Sequence, residues 1–156
     1  MQKNLGFTAF ELAVTIAIMA ILTTITLPPY MKWWRSSRLQ SGLSNLTADI
    51  EMAKTRSIRE NASVVIDFDT DGYIIFVDSN SDWNPNNGED VLLNRALPAS
   101  VFIDVADLSF PTVADKLRFT GRGIPFQIVS NKEIHVNQAG NDRIITINRL
   151  GNINVQ

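Results

Sequence analysis

Gly6-Phe7-Thr8-Ala9-Phe10-Glu11-Leu12, running on through apolar residues to Leu27, is the stretch that decides how this chain is read. From Phe7 to Leu27 it is long enough to cross a bilayer, since about 20 helical residues span about 30 Å of hydrocarbon. A single acid, Glu11, interrupts it. A charge inside hydrocarbon costs roughly 2.5–3.5 kcal/mol on insertion scales, so Glu11 calls for a neutralising partner. A cut after Gly6, which has no side chain, would free a new amino group on Phe7. That amine lies one helical turn from Glu11 of the same chain. It also offers a pairing between chains, Glu11 of an incoming subunit meeting the Phe7 amine of its neighbour and fixing their stagger.

Two plainer readings fit less well. A secretory signal has a basic leader and an Ala-x-Ala-like site after its apolar core. This chain shows no such site after Leu27, and it carries Glu11 at the start of the core. A plain single-pass anchor needs no glycine cut and leaves Glu11 unexplained.

With Gly-Phe-Thr-Ala-Phe-Glu-Leu at 6–12 and Pro28 behind the apolar run, the chain resembles the type IV pilin and pseudopilin superfamily. The resemblance implies a leader, residues 1–6, removed by prepilin peptidase after Gly6, with N-methylation of Phe7. Glu11 and Pro28 would then serve subunit assembly, Pro28 standing where the family has its helix-distorting proline. It also implies a single-pass inner-membrane anchor with a periplasmic C-terminal domain, lifted later into a filament with other subunits by an inner-membrane platform. Charge alone argues the opposite orientation, because Lys32, Arg35 and Arg38 follow the anchor while only Lys3 and the chain amine precede it. The specific motif outweighs that small difference.

Behind the anchor, residues 7–29, the remaining 30–156 are of ordinary single-domain size. A formal charge of -2 and a pI near 5.3 give no global attraction to nucleic acid or anionic lipid. With no cysteine, the fold rests on packing alone, and thiolate metal sites and thiol nucleophiles are excluded. Leu39, Leu43, Leu46, Ile50 and Ala53 recur at helical spacing, so the anchor helix is expected to continue, distorted at Pro28-Pro29, to about Glu60. At ~1.5 Å per residue it would make a rod of roughly 80 Å. From Ser63 the pattern changes to short β-branched and aromatic runs at 64–68, 73–77, 101–103, 126–129, 134–136 and 144–147. Turns at Asp69-Thr70-Asp71-Gly72 and Ala139-Gly140-Asn141-Asp142 predict antiparallel hairpins. The predicted class is α+β: a long N-terminal helix, transmembrane then amphipathic, packed on an antiparallel β-sheet domain.

This layout more narrowly resembles the GspH/FimT family of minor pilins and pseudopilins, through Ala53-Lys54-Thr55-Arg56-Ser57, Tyr73 to Asp78, the acidic loop to Glu89-Asp90, Leu117 to Gly123 and Leu150-Gly151-Asn152-Ile153. Both a type IV pilus and a type II secretion pseudopilus are open as its destination. Some members of the family capture DNA for uptake through basic residues in the tail after a glycine. Here Asn152 and Asn154 stand in that tail, and the nearest candidates are Arg143 and Arg149, with Arg118 and Arg122.

In the 78–89 loop, Asp78, Asn80, Asp82, Asn84 and Glu89 place oxygens at calcium-loop spacing, but Trp83 occupies the position where that motif needs glycine. The competing reading is a solvated hairpin loop, with Trp83 as an exposed contact for a neighbouring subunit. No enzyme reading survives: His135 alternates with Ile134 and Val136 without a nucleophile beside it in sequence, and Gly121-Arg122-Gly123 lacks the strand–loop–helix setting of a phosphate loop.

Overall fold

The computed structural model describes residues 7–86, 88–106, 108, 110, 111, 113 and 115–156. The chain divides into two units, Met1–Ser37 and Arg38–Gln156. One helix, α1 (Ala9–Glu60), contributes to both and contains Pro28 and Pro29 in its interior.

In the first unit every described residue is exposed. Pro28 and Pro29 lack an N–H, so the carbonyls of Thr24 and Ile25 lose their usual intrahelical donors. Nearby hydroxyls turn inward on the backbone: Thr23 donates to Met19 O at 2.7 Å, Thr24 to Ala20 O at 2.7 Å and Thr26 to Leu22 O at 2.8 Å. Satisfied this way, the threonines present little polarity to an apolar surrounding.

In the second unit α1 buries Leu39, Leu43, Leu46, Ile50 and Ala53 on one face, together with Gly42, Asp49 and Ser57. Gly42 allows a close approach, since a Cβ there would sit 3.3 Å from Pro98 Cδ and Val101 Cγ1. The helix ends at Asn61, whose φ of 47° is left-handed. Asn61 N donates to Ile58 O at 3.3 Å and Ala62 N to Ser57 O at 3.2 Å, the paired bonds of a Schellman cap.

The strands are β1 (Ser63–Asp69), β2 (Gly72–Asp78), β3 (Val91–Ala96), β4 (Phe102–Ile103), β5 (Lys116–Phe119), β6 (Lys132–Gln138), β7 (Asn141–Ile147) and β8 (Ile153–Val155). They form two four-stranded sheets, ordered β3-β2-β1-β5 and β4-β6-β7-β8. The pairings within both sheets are antiparallel, with the two predicted turns closing β1–β2 and β6–β7. One core gathers the apolar face of α1, Val64, Ile66 and Phe68 of β1, Tyr73, Ile75 and Val77 of β2, Leu117 and Phe119 of β5, and Ile134, Val136, Ile145 and Ile147 of the second sheet.

One expected strand is absent, and three others are added. The run 126–129 forms no strand: Phe119 makes an isolated bridge to Pro125, and Gln127 adopts φ 56°, which breaks the extended path. Strands β3, β5 and β8, which the alternation did not single out, complete the sheet edges. β3 buries none of its residues fully, so its sequence lacks a clean apolar alternation.

Candidate assembly surface

Thr8 opens α1. Its N–H and its hydroxyl both donate to Glu11 Oε2 at 2.9 Å, while Glu11 N donates to Thr8 Oγ1 at 3.2 Å. This reciprocal pair is a capping box, in which an N-cap hydroxyl and an acid three residues on satisfy each other's backbone donors. Thr8-x-x-Glu11 is that signature in the sequence, a local role for Glu11 besides the pairing expected of it. Gly6, the expected cleavage site, lies outside the described residues. Phe7 is 83 % exposed, and Phe10, Leu12, Ile16, Met19, Leu22, Ile25, Trp33 and Trp34 are exposed too. The helix is long and apolar enough to cross a membrane. Among the described residues of its own unit nothing buries it, and so large an exposed apolar surface marks an interaction surface.

The 78–89 loop carries a different logic. Its side-chain oxygens are turned onto neighbouring donors: Asp78 accepts from Ser81 N at 2.7 Å and Arg118 Nη1 at 3.3 Å, and Asn80 accepts from Asp82 N at 3.0 Å. Asp82 accepts from Asn84 N at 2.9 Å and also from Asn86 Nδ2. Asn84 Oδ1 accepts from Lys116 Nζ at 3.2 Å, and Glu89 from Ser79 N at 2.9 Å. The Asn84 N–H, with the Asn86 and Asn80 amides, holds the Asp82 carboxyl below the usual carboxylate range. Among the described residues no cluster of three or more His, Cys, Asp or Glu side chains is placed to hold a metal ion.

Trp83, expected as an exposed contact, is instead half-buried. The Arg118 guanidinium lies 4.1 Å from the Trp83 ring centre and 4.1 Å from that of Phe126, and the two rings meet edge-on at 5.8 Å. The cause is in the first sheet: Val65 pairs with both Phe76 and Arg118, and Val65 and Phe76 are fully buried on the face away from α1. That face needs a cover, and the loop supplies one. Trp83 takes φ 68°, a left-handed conformation uncommon for a bulky residue, to turn its ring onto the sheet.

A polar clamp that the apolar pattern concealed joins α1 to the same sheet. Tyr73 OH donates to Asp49 Oδ2 at 2.6 Å, and Arg95 Nε lies 2.6 Å from that oxygen. Burial first, then the bond to Asp49, pushes the Tyr73 phenol far above its ordinary range. Of the candidate arginines, Arg118 is buried against Asp78. Arg143 lies in β7 and Arg149 in the turn that follows it, and both are exposed. His135 Nδ1 lies 2.8 Å from Asp142 Oδ2.

A family model described as "Type II transport protein GspH" matches residues 43–151. The chain belongs to the GspH family. It is similar in fold to the type IV minor pilin FimU of Pseudomonas aeruginosa strain PAO1, solved in two crystal forms. The first form gives a TM-score of 0.61 at 18% identity, covering 78% of this chain and 90% of that one. The second gives 0.57 at 18%, covering 75% and 91%. No curated protein matches at a significant level. Membership of this pilin-type family implies interaction with other pilin or pseudopilin subunits.

Proposed function

We propose that the chain is a minor pilin or pseudopilin: cut by prepilin peptidase after Gly6, methylated on Phe7, held in the inner membrane with its C-terminal unit in the periplasm, then lifted by the inner-membrane platform into a type IV pilus or a type II secretion pseudopilus. Its work is mechanical rather than catalytic. The observation that carries the reading is the exposed apolar surface of α1 from Phe7 to Trp34, with Glu11 as its one acid.

Leaving lipid costs about 25 cal/mol for each Å² of apolar area that reaches water, so the helix exchanges lipid for the helices of neighbouring subunits. Many registers would bury equal area. Pairing of Glu11 with the Phe7 amine of a neighbour selects one. Pro28 and Pro29, by freeing two backbone carbonyls, lower the local cost of bending α1 where it leaves the bilayer.

The test is the leader cut itself: Gly6→Val should leave the full-length precursor in the membrane, and a mature-length Gly6→Val protein would refute the processing step. DNA capture is a second reading, favoured by Arg143 and Arg149, both exposed, and by Arg122, exposed between Gly121 and Gly123. A band-shift titration decides it, because phosphate-driven binding weakens steeply with salt.

A further inference from the structure

The Arg38–Gln156 unit carries opposite charge at its two ends. Its distal end is where α1 stops. There a Cβ on Gly123 would lie 2.6 Å from Ile58 Cδ1, and one on Gly151 would lie 3.0 Å from Gly123 O. Lys54 Nζ donates to Gly151 O at 2.7 Å. These approaches gather the end of α1 and two turns into one surface, where Ile58, Ile124 and Leu150 are 53, 43 and 62% exposed. Arg59, Arg122 and Arg149 are exposed next to them in sequence. Glu60, the acid nearest the end of α1, is already paired with Arg56 at 2.8 Å.

The proximal end is where α1 comes into the unit, Gly42 lying against Pro98 and Val101. Asp69 and Asp71 flank the β1–β2 turn there. Backbone bonds from Ile103 N to Thr70 O at 3.0 Å and from Phe68 N to Asp115 O at 3.0 Å bring Asp104 and Asp115 to the same end. A groove of about 430 Å³ is lined by Asp67, Asp69, Asp71 and Asp115. Of these acids Lys116 pairs with Asp67, at 3.0 Å, and it also donates to Trp83 O and Asn84 Oδ1; Arg95 is committed to Asp49, and Arg143 of β7 is an exposed cation at this end. Phe102, 39% exposed beside Ile103, adds an apolar element to this end.

We propose that the distal end of one chain docks on the proximal end of a second copy. Ile58, Ile124 and Leu150 form the apolar centre, and Arg122 and Arg149 meet the Asp69, Asp71 and Asp115 carboxylates. A head-to-tail contact uses two different surfaces, so it does not close on itself and keeps the two α1 segments pointing the same way. The charged rim steers the encounter and sets the register, while the apolar centre supplies the burial. The inference rests on the filament reading for its place in the cell, though not for its chemistry.

The absence of cysteine makes disulfide trapping clean. Two differently tagged full-length chains, one Leu150→Cys and one Asp71→Cys, are expressed together and oxidised in the membrane. The expected result is a mixed-tag dimer at least about tenfold above a control pairing Leu150→Cys with Glu51→Cys, Glu51 being exposed on the side of α1; tenfold corresponds to about 1.4 kcal/mol. Arg122→Glu with Arg149→Glu should abolish that excess, and Asp69→Arg with Asp115→Arg in the partner should restore it. A yield no higher than the control, or one indifferent to charge reversal, overturns the contact. So does a result in which the arginine variants lose only DNA binding. The same cysteine pair in the isolated Arg38–Gln156 unit, which contains the whole core, keeps the two claims apart. Trapping there without incorporation of the full chain into fibres defeats the filament reading alone, and incorporation without trapping defeats this contact alone.

Discussion

At residue 11 one carboxylate meets two demands. The capping box ties Glu11 to Thr8, and the filament reading asks it to meet the amine of another subunit. The two roles separate by substitution. Thr8→Val removes the cap, at about 1 kcal/mol of local helix stability, yet leaves the acid; it should assemble, whereas Glu11→Ala should insert and be processed normally but fail to enter fibres beside wild-type subunits. Equal assembly defects in the two variants, measured by subunit content of sheared fibres, would make Glu11 a cap and nothing more. Tyr73 yields a second residue-scale prediction. Its folded-state pKa is raised, so its contribution is intact below the ordinary tyrosine value near 10 and is lost as pH climbs above it. Thermal melts of the Arg38–Gln156 unit should therefore fall off above about pH 10, and Tyr73→Phe should blunt that fall while costing roughly 1–2 kcal/mol at neutral pH for the bond to Asp49. An unchanged alkaline limb in Tyr73→Phe would contradict the assignment.

Among the elements, legibility in the sequence followed periodicity. The apolar run from Phe7 and the stripe from Leu39 to Ala53 both read as helix and both are helix, because burial or lipid contact imposes a period that the residues must keep. The β1–β2 and β6–β7 hairpins were legible through their turn residues. What escaped was set by contacts distant in sequence. Asp49 interrupts an apolar face and makes sense only beside Tyr73 and Arg95. Calcium-like spacing in the 78–89 loop drew attention to its oxygens, whereas its Trp83 packs on Arg118, the cross-strand neighbour of Val65. The unbroken apolar runs Val64-Val65-Ile66 and Tyr73 to Val77 signal that both faces of the first sheet are apolar, but not which segment covers the outer one. Trp83→Ala should accordingly cost about 2–3 kcal/mol in denaturant unfolding, below the ~3–5 kcal/mol of a fully buried aromatic because Trp83 is only partly buried. A change under about 0.5 kcal/mol, the usual size for a surface site, would remove the lid role.

Over the whole molecule, the core of the described residues lies within Arg38–Gln156, from Leu39 onward, while residues 7–37 are exposed. The C-terminal unit should therefore be soluble and fold cooperatively without its anchor; a fragment with no sharp thermal transition would show that its packing depends on the membrane half. The anchor has the complementary property, an apolar surface with no interior of its own, and so its role lies in what it is inserted into. Family membership was legible from the N-terminal motif and the loose C-terminal segments together, whereas the opposed charges at the ends of the C-terminal unit required the fold, since Asp69, Asp104 and Asp115 come together only through backbone bonds between segments distant in sequence. The most direct test of the central claim is mass spectrometry of fibres sheared from the cell surface, searched for the peptide that begins at Phe7. A methylated Phe7 peptide in those fibres is the predicted result for a pilus, and the processed peptide confined to the inner-membrane fraction is the predicted result for a secretion pseudopilus; a chain that still begins at Met1 in every fraction would contradict the account.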